Sequence, residues 1–130
     1  MSTPLALIIE DDQDAATICY ESLKAAGFVC EVIKTGDEGL ARLKEVVPTV
    51  VVLDMHLPNV AGPDILRYIK REARLARTQV IIATADSRIA DELHEEATLT
   101  LLKPISFTQL RDMARRLKEH AEKAERPPGE

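Results

Sequence analysis

Long hydrophobic runs are missing from this chain of 130 residues. None approaches the ~20 apolar residues that a membrane-spanning helix needs, so membrane insertion is not expected. Met1-Ser2-Thr3-Pro4 has no charged n-region and leads straight into a short apolar stretch. No secretory signal is read there, and a cytoplasmic location is expected. An excess of positive charge is missing too: 17 Lys and Arg stand against 22 Asp and Glu, a net charge of −5. That argues against direct nucleic-acid binding, whose modules are usually basic. Cysteine is scarce. Cys19 and Cys30 form no CxxC and read as reduced structural thiols rather than a disulfide framework. His56, His94 and His120 have no metal-ligand spacing, which argues against a zinc site. Internal repeats, low-complexity segments and an interdomain linker are also absent. The length suits one domain with a sizeable core.

What is present is organised around Val50-Val51-Val52-Leu53-Asp54. A continuous apolar run of this kind reads as a strand buried on both faces. Asp54 then falls at its carboxyl end, the edge where open α/β sheets bind ligands. The loop signals Pro58, Asn59 and Gly62 follow. Other short apolar runs read as strands: Leu5 to Ile9, Phe28 to Ile33, Val80 to Thr84 and Thr98 to Leu102. Between them, apolar positions recur at three- and four-residue steps. Helices are predicted from Asp14 to Ala26 with Asp12 as N-cap, and from Gly36 to Val46 with Leu40, Leu43 and Val47 on one face. A third opens at Gly62-Pro63-Asp64, a short acidic fourth covers Ser87 to Glu96, and a fifth follows Ser106. Strict alternation of strand and helix predicts an α/β fold: a five-stranded parallel doubly wound sheet with five helices in a single domain. That domain is expected over 1–122, with 123–130 as a flexible tail.

In a parallel sheet all strand carboxyl ends share one edge. Glu10-Asp11-Asp12, Asp54, Thr84 and Lys103 end four of the strands, so they can converge. Clustered carboxylates repel and raise one another's pKa unless a cation joins them. With only oxygen ligands on offer, a hard cation such as Mg²⁺ is favoured. A lysine ammonium suits a carboxylate or a phosphoryl group, and a threonine hydroxyl can donate to an anionic oxygen. Together these groups could neutralise a phosphoryl group transferred to an Asp carboxylate.

The segments Leu7-Ile8-Ile9-Glu10-Asp11-Asp12, Val51-Val52-Leu53-Asp54-Met55-His56-Leu57-Pro58, Ile81-Ile82-Ala83-Thr84-Ala85 and Leu101-Leu102-Lys103-Pro104 occur in order. Spacings of 43 residues from Asp11 to Asp54 and 30 from Asp54 to Thr84 accompany them. With these pieces the chain, over about residues 4–121, resembles the receiver domain of two-component response regulators. The resemblance implies the flavodoxin-like strand order 2-1-3-4-5. It implies Asp54 as phosphoacceptor, supplied by a histidine kinase or a histidine phosphotransfer protein. It implies Mg²⁺ bound by Asp11 and Asp54, by the backbone carbonyl of His56, and by Glu10 through water. Thr84 would be the switch hydroxyl and Lys103 the phosphoryl partner, next to a Lys103–Pro104 bond that is usually cis. The output surface would be the face of the fourth helix, fifth strand and fifth helix, which contacts an output protein or domain and is a homodimer surface. Catalysis would extend only to the chain's own phosphorylation and dephosphorylation, so no turnover enzyme is expected.

Two departures from that pattern stand out. The family usually carries Tyr or Phe three residues before the lysine, and Thr100 stands here. The chain has two Tyr and two Phe, none of them in the fifth strand. Lys103 follows Thr84 by only 19 positions, fewer than usual, so the fourth helix should be short or irregular. His56 and Asp86, two residues after Asp54 and Thr84, occupy positions that flank the attacking water in the family, and are expected to tune dephosphorylation. A pseudo-receiver that binds partners without switching is the alternative. A small-substrate phosphatase is disfavoured because His56 stands where such enzymes need a second Asp.

Overall fold

The computed structural model describes residues 3–125. The chain runs β1 (Leu5–Ile9), α1 (Gln13–Ala25), β2 (Val29–Ile33), α2 (Gly36–Leu43), β3 (Val50–Asp54) and α3 (Gly62–Arg71). A single 3-10 turn at Ala73–Leu75 leads to β4 (Gln79–Thr84), α4 (Ser87–Leu93), β5 (Leu99–Leu102) and α5 (Phe107–Glu125). All five strands are parallel, in the order β2-β1-β3-β4-β5. No helix among the described residues is long and apolar enough to cross a membrane.

Alternation along the strands divides the core in two. Ala6, Ile8, Val50, Val52, Ile81, Ala83 and Leu101 pack with α1 and α5 through Cys19, Leu23, Leu110 and Ala114. Leu7, Ile9, Val51, Leu53, Val80 and Ile82 face the opposite way, against Leu43 of α2 and Ile65, Leu66 and Ile69 of α3. Each fully buried Leu or Ile contributes about 1.5–3 kcal/mol, so the interior strands β1, β3 and β4 are held more firmly than the edge strands β2 and β5. Asp12 caps α1 by accepting from the Ala15 N–H at 2.8 Å, and Ser106 accepts from the Gln109 N–H at 3.2 Å at the start of α5. Both thiols are free; burial pushes Cys19 up to about 12 and Cys30 up to about 11, as inert structural groups require.

Three boundaries differ from the sequence-based expectation by more than one residue. Helix α2 stops at Leu43 rather than Val46, and Val47, expected on its inner face, is 54% exposed. The guanidinium of Arg74 sits at that end, donating to the carbonyls of Leu43 and Val46 at 2.5 and 2.9 Å, so the last carbonyls are satisfied without another turn. Helix α4 stops at Leu93 rather than Glu96: Ile89 and Leu93 are its apolar anchors, and no residue in it is fully buried. Helix α5 runs through Glu125, past the boundary expected at 122. The rest of the expected tail, 126–130, lies outside the described residues.

Candidate functional site

Strand register places the polar residues. Ile9 of β1 pairs with Leu53 of β3, so Glu10 and Asp54 come abreast one step further on. Asp54 pairs with Ala83, so Thr84 ends β4 one step beyond. Thr84 pairs with Leu102, so Lys103 follows one step beyond that. The Lys103 N–H donates to the Thr84 carbonyl at 2.9 Å, fixing the lysine against the sheet edge, and the Lys103–Pro104 bond is cis.

Glu10, Asp11 and Asp54 each present a carboxylate oxygen within 4.8 Å of the others. Glu10 is 1% and Asp54 4% exposed, while Asp11 lies open to solvent. The Lys103 ammonium reaches in from β5, with Nζ 2.5 Å from Glu10 Oε1 and 3.6 Å from Asp54 Oδ1. Glu10 Oε2 also accepts from the Asp12 N–H at 3.2 Å, and Asp54 Oδ1 from the His56 N–H at 3.3 Å. Burial, with the Asp54 carboxylate beside it, pushes Glu10 up to about 7 against the pull of Lys103. Burial disfavours the Lys103 ammonium, but Glu10 and Asp54 outweigh it and raise its pKa. The site is a cluster of three carboxylates with one ammonium, short of positive charge.

Thr84 is buried at the lip of this cluster, and its hydroxyl accepts from the Asp86 N–H at 3.1 Å. Two expected residues are not drawn in. The side chain of His56 is exposed. Asp86 turns its carboxylate to the first turn of α4, accepting from the Arg88 N–H at 2.9 Å; that bond and the Arg88 guanidinium hold its pKa down.

The loop after Asp54 is held by contacts the sequence reading did not single out. A side chain on Gly62 would put its Cβ 2.3 Å from the Asp54 carbonyl oxygen, and one on Gly36 would lie 1.8 Å from the Val60 carbonyl. Both positions therefore require glycine. The Gly36 N–H donates to the Pro58 carbonyl at 3.0 Å, and Asn59 donates to Asp37 Oδ1 at 2.9 Å. The only hint in the sequence was a glycine opening each of these helices.

Residues 6–115 match the family described as the response regulator receiver domain. The chain belongs to that family. It is 30% identical over 110 residues to the phosphate regulon transcriptional regulatory protein PhoB of Rhizobium meliloti, a match covering 82% of this chain and 48% of that protein. It is 31% identical over 132 residues to the transcriptional regulatory protein TrcR of Mycobacterium tuberculosis, covering 98% of this chain and 51% of that protein. Among solved structures it resembles the response regulator DrrB of Thermotoga maritima with a TM-score of 0.79 and 27% identity, over 92% of this chain and 54% of that one. The chain thus spans about half the length of these relatives. The strand order is that of the receiver fold. Receiver domains bind Mg²⁺ at an acidic pocket, and the carboxylates here fit that ion. They are hard oxygen donors close enough to share one small cation, and they carry more negative charge than Lys103 neutralises.

Proposed function

We propose that this receiver domain takes a phosphoryl group onto Asp54 from the phosphohistidine of a histidine kinase or a histidine phosphotransfer protein. The Asp54 carboxylate oxygen attacks phosphorus, the P–N bond breaks, and its electron pair returns to the imidazole. The observation that carries this reading is the Lys103 ammonium, fixed 3.6 Å from the buried Asp54 carboxylate at the end of β3. There it can pair with charge on the incoming phosphoryl oxygens. Asp11 and Asp54, the His56 carbonyl, and Glu10 through water would hold Mg²⁺, which when bound supplies the remaining positive charge. Thr84 would turn its hydroxyl from the Asp86 N–H toward the phosphoryl group. The consequence would be a shift of the face formed by α4, β5 and α5, read in the cytoplasm by an output protein or domain or by a second copy. The chain's catalysis would be confined to its own phosphorylation and dephosphorylation.

The direct test is intact mass after incubation with acetyl phosphate and Mg²⁺. A phosphoryl-sized gain is expected in the wild type, absent without Mg²⁺ and absent in Asp54→Asn. No gain in the wild type contradicts the reading. His56 and Asp86 would set how long the acyl phosphate lasts; unchanged dephosphorylation rates in both His56→Ala and Asp86→Ala would exclude them from that role.

A further inference from the structure

Among the described residues, Asn59 is the one residue other than glycine that takes a positive φ, at +72°. The Val60 N–H donates across it to the Pro58 carbonyl at 2.9 Å, closing a three-residue turn of a rare and strained kind. Glycine would take this backbone without strain. Asparagine brings a side chain, and that side chain is used: its Nδ2 donates to Asp37 Oδ1 at 2.9 Å, 22 positions away in the sequence. Strain of this kind persists only where the surroundings impose it, and it gathers at ligand sites.

The surroundings here lead back to β1. The ladder between β1 and β3 ends at the Ile9–Leu53 pair, so the sheet itself fixes Glu10 and Asp54. His56, whose carbonyl completes the proposed Mg²⁺ site, lies beyond that ladder on a loop. Helix α2 bridges the gap. Gly39 lies so close to Ile9 that a Cβ there would fall 2.9 Å from Ile9 Cδ1. The first turn of α2 then holds the loop at two points: the Gly36 N–H donates to the Pro58 carbonyl at 3.0 Å, and Asp37 receives Asn59. The loop is thus set against the end of β1, where Glu10 and Asp11 stand, through α2. Mg²⁺ holds its oxygens at ~2.0–2.1 Å and tolerates little distortion, so this placement matters.

We propose that Asn59 and Asp37 form a clasp that sets Mg²⁺ affinity by holding the His56 carbonyl in place against the β1 carboxylates. Neither side chain belongs to the ligand set; both are positioning residues. The inference rests on the Mg²⁺ site of the proposed function. Removing a group that orients a metal ligand from outside the coordination sphere costs roughly 10–100-fold in affinity, and an exposed clasp belongs at the lower end.

The test is titration of the full chain with MgCl₂, followed by amide NMR shifts, which also report that each variant is folded. Asn59→Gly keeps the backbone conformation and removes the donor. Asp37→Ala removes the acceptor, and Asp37→Asn removes the charge but keeps an oxygen that accepts. Asn59→Gly and Asp37→Ala should each weaken Mg²⁺ binding about tenfold, and the double variant should be no weaker than either alone. Asp37→Asn should stay within about twofold of wild type, because an exposed charge is well screened. Wild-type affinity in Asn59→Gly would overturn the inference. So would losses that multiply in the double variant, or a loss in Asp37→Asn equal to that in Asp37→Ala, which would assign the effect to charge. Absence of any Mg²⁺-dependent shift in the wild type would instead overturn the Mg²⁺ site of the proposed function, and the inference with it.

Discussion

The two ends of the sheet edge are built differently. Around β1 and β3, every residue of β3 is buried, Glu10 and Asp54 are sealed in, and the following loop is pinned by glycines that leave no room for a Cβ. Around α4 and β5, the helix buries no residue fully, the strand keeps Leu102 exposed, and a hydroxyl goes unpartnered. Chemistry needs groups held in place, and a switch needs an element that moves for a few kcal/mol. One short route joins the two regions, from Thr84 through the Asp86 N–H to the cap of α4.

Substitutions can break this contrast or sharpen it. Leu53→Ala, beneath Asp54 and fully buried, should cost about 2–5 kcal/mol in urea unfolding. Gly62→Ala should cost about 1–3 kcal/mol, because the backbone carrying Asp54 must shift, and it should slow phosphorylation by acetyl phosphate as well. Leu93→Ala, half-buried in α4, should cost under about 1 kcal/mol; a loss as large as that of Leu53→Ala would erase the distinction. The smallest effect belongs to the rim of the sheet. Glu31 is paired with Arg42 at 2.8 Å, and that hydrogen bond lowers its pKa below the ordinary 4.5. The ionised form is thus favoured by folding, so its contribution is present above pH 4.5 and fades as pH falls through the lower folded value. At this exposure it amounts to under about 1 kcal/mol. The difference in stability between wild type and Arg42→Ala should shrink by that much on acidification.

The rigid region was the legible one. A short β-branched run ending in Asp54 reads as a strand covered on both faces, and parallel strands bring Glu10, Asp54, Thr84 and Lys103 to one edge. Local chemistry placed the Asp12 cap for the same reason: a side chain bonding three residues on is readable from spacing. The misses needed distances in space. The Glu10–Lys103 ion pair, made directly across the sheet edge, is a contact that spacing along the chain does not show. Val47 carries the right spacing for α2 but falls outside it, because Arg74, 27 residues further along, satisfies the helix end early. Asp86 was expected to tune dephosphorylation; that its carboxylate also caps α4 was not read from the sequence. In α4 the apolar pattern is too thin to set an end point, so Glu95 and Glu96 looked helical and are not.

The central claim is that a firmly held phosphoacceptor acts on a loosely held α4–β5 region. Amide hydrogen exchange, with and without Mg²⁺ and beryllofluoride, tests it most directly. Protection should change mainly across residues 84–102, while the amides of β1 and β3 stay protected in both states. A change spread evenly over the sheet, or an unchanged 84–102 segment in a chain that has bound the mimic, would contradict the account.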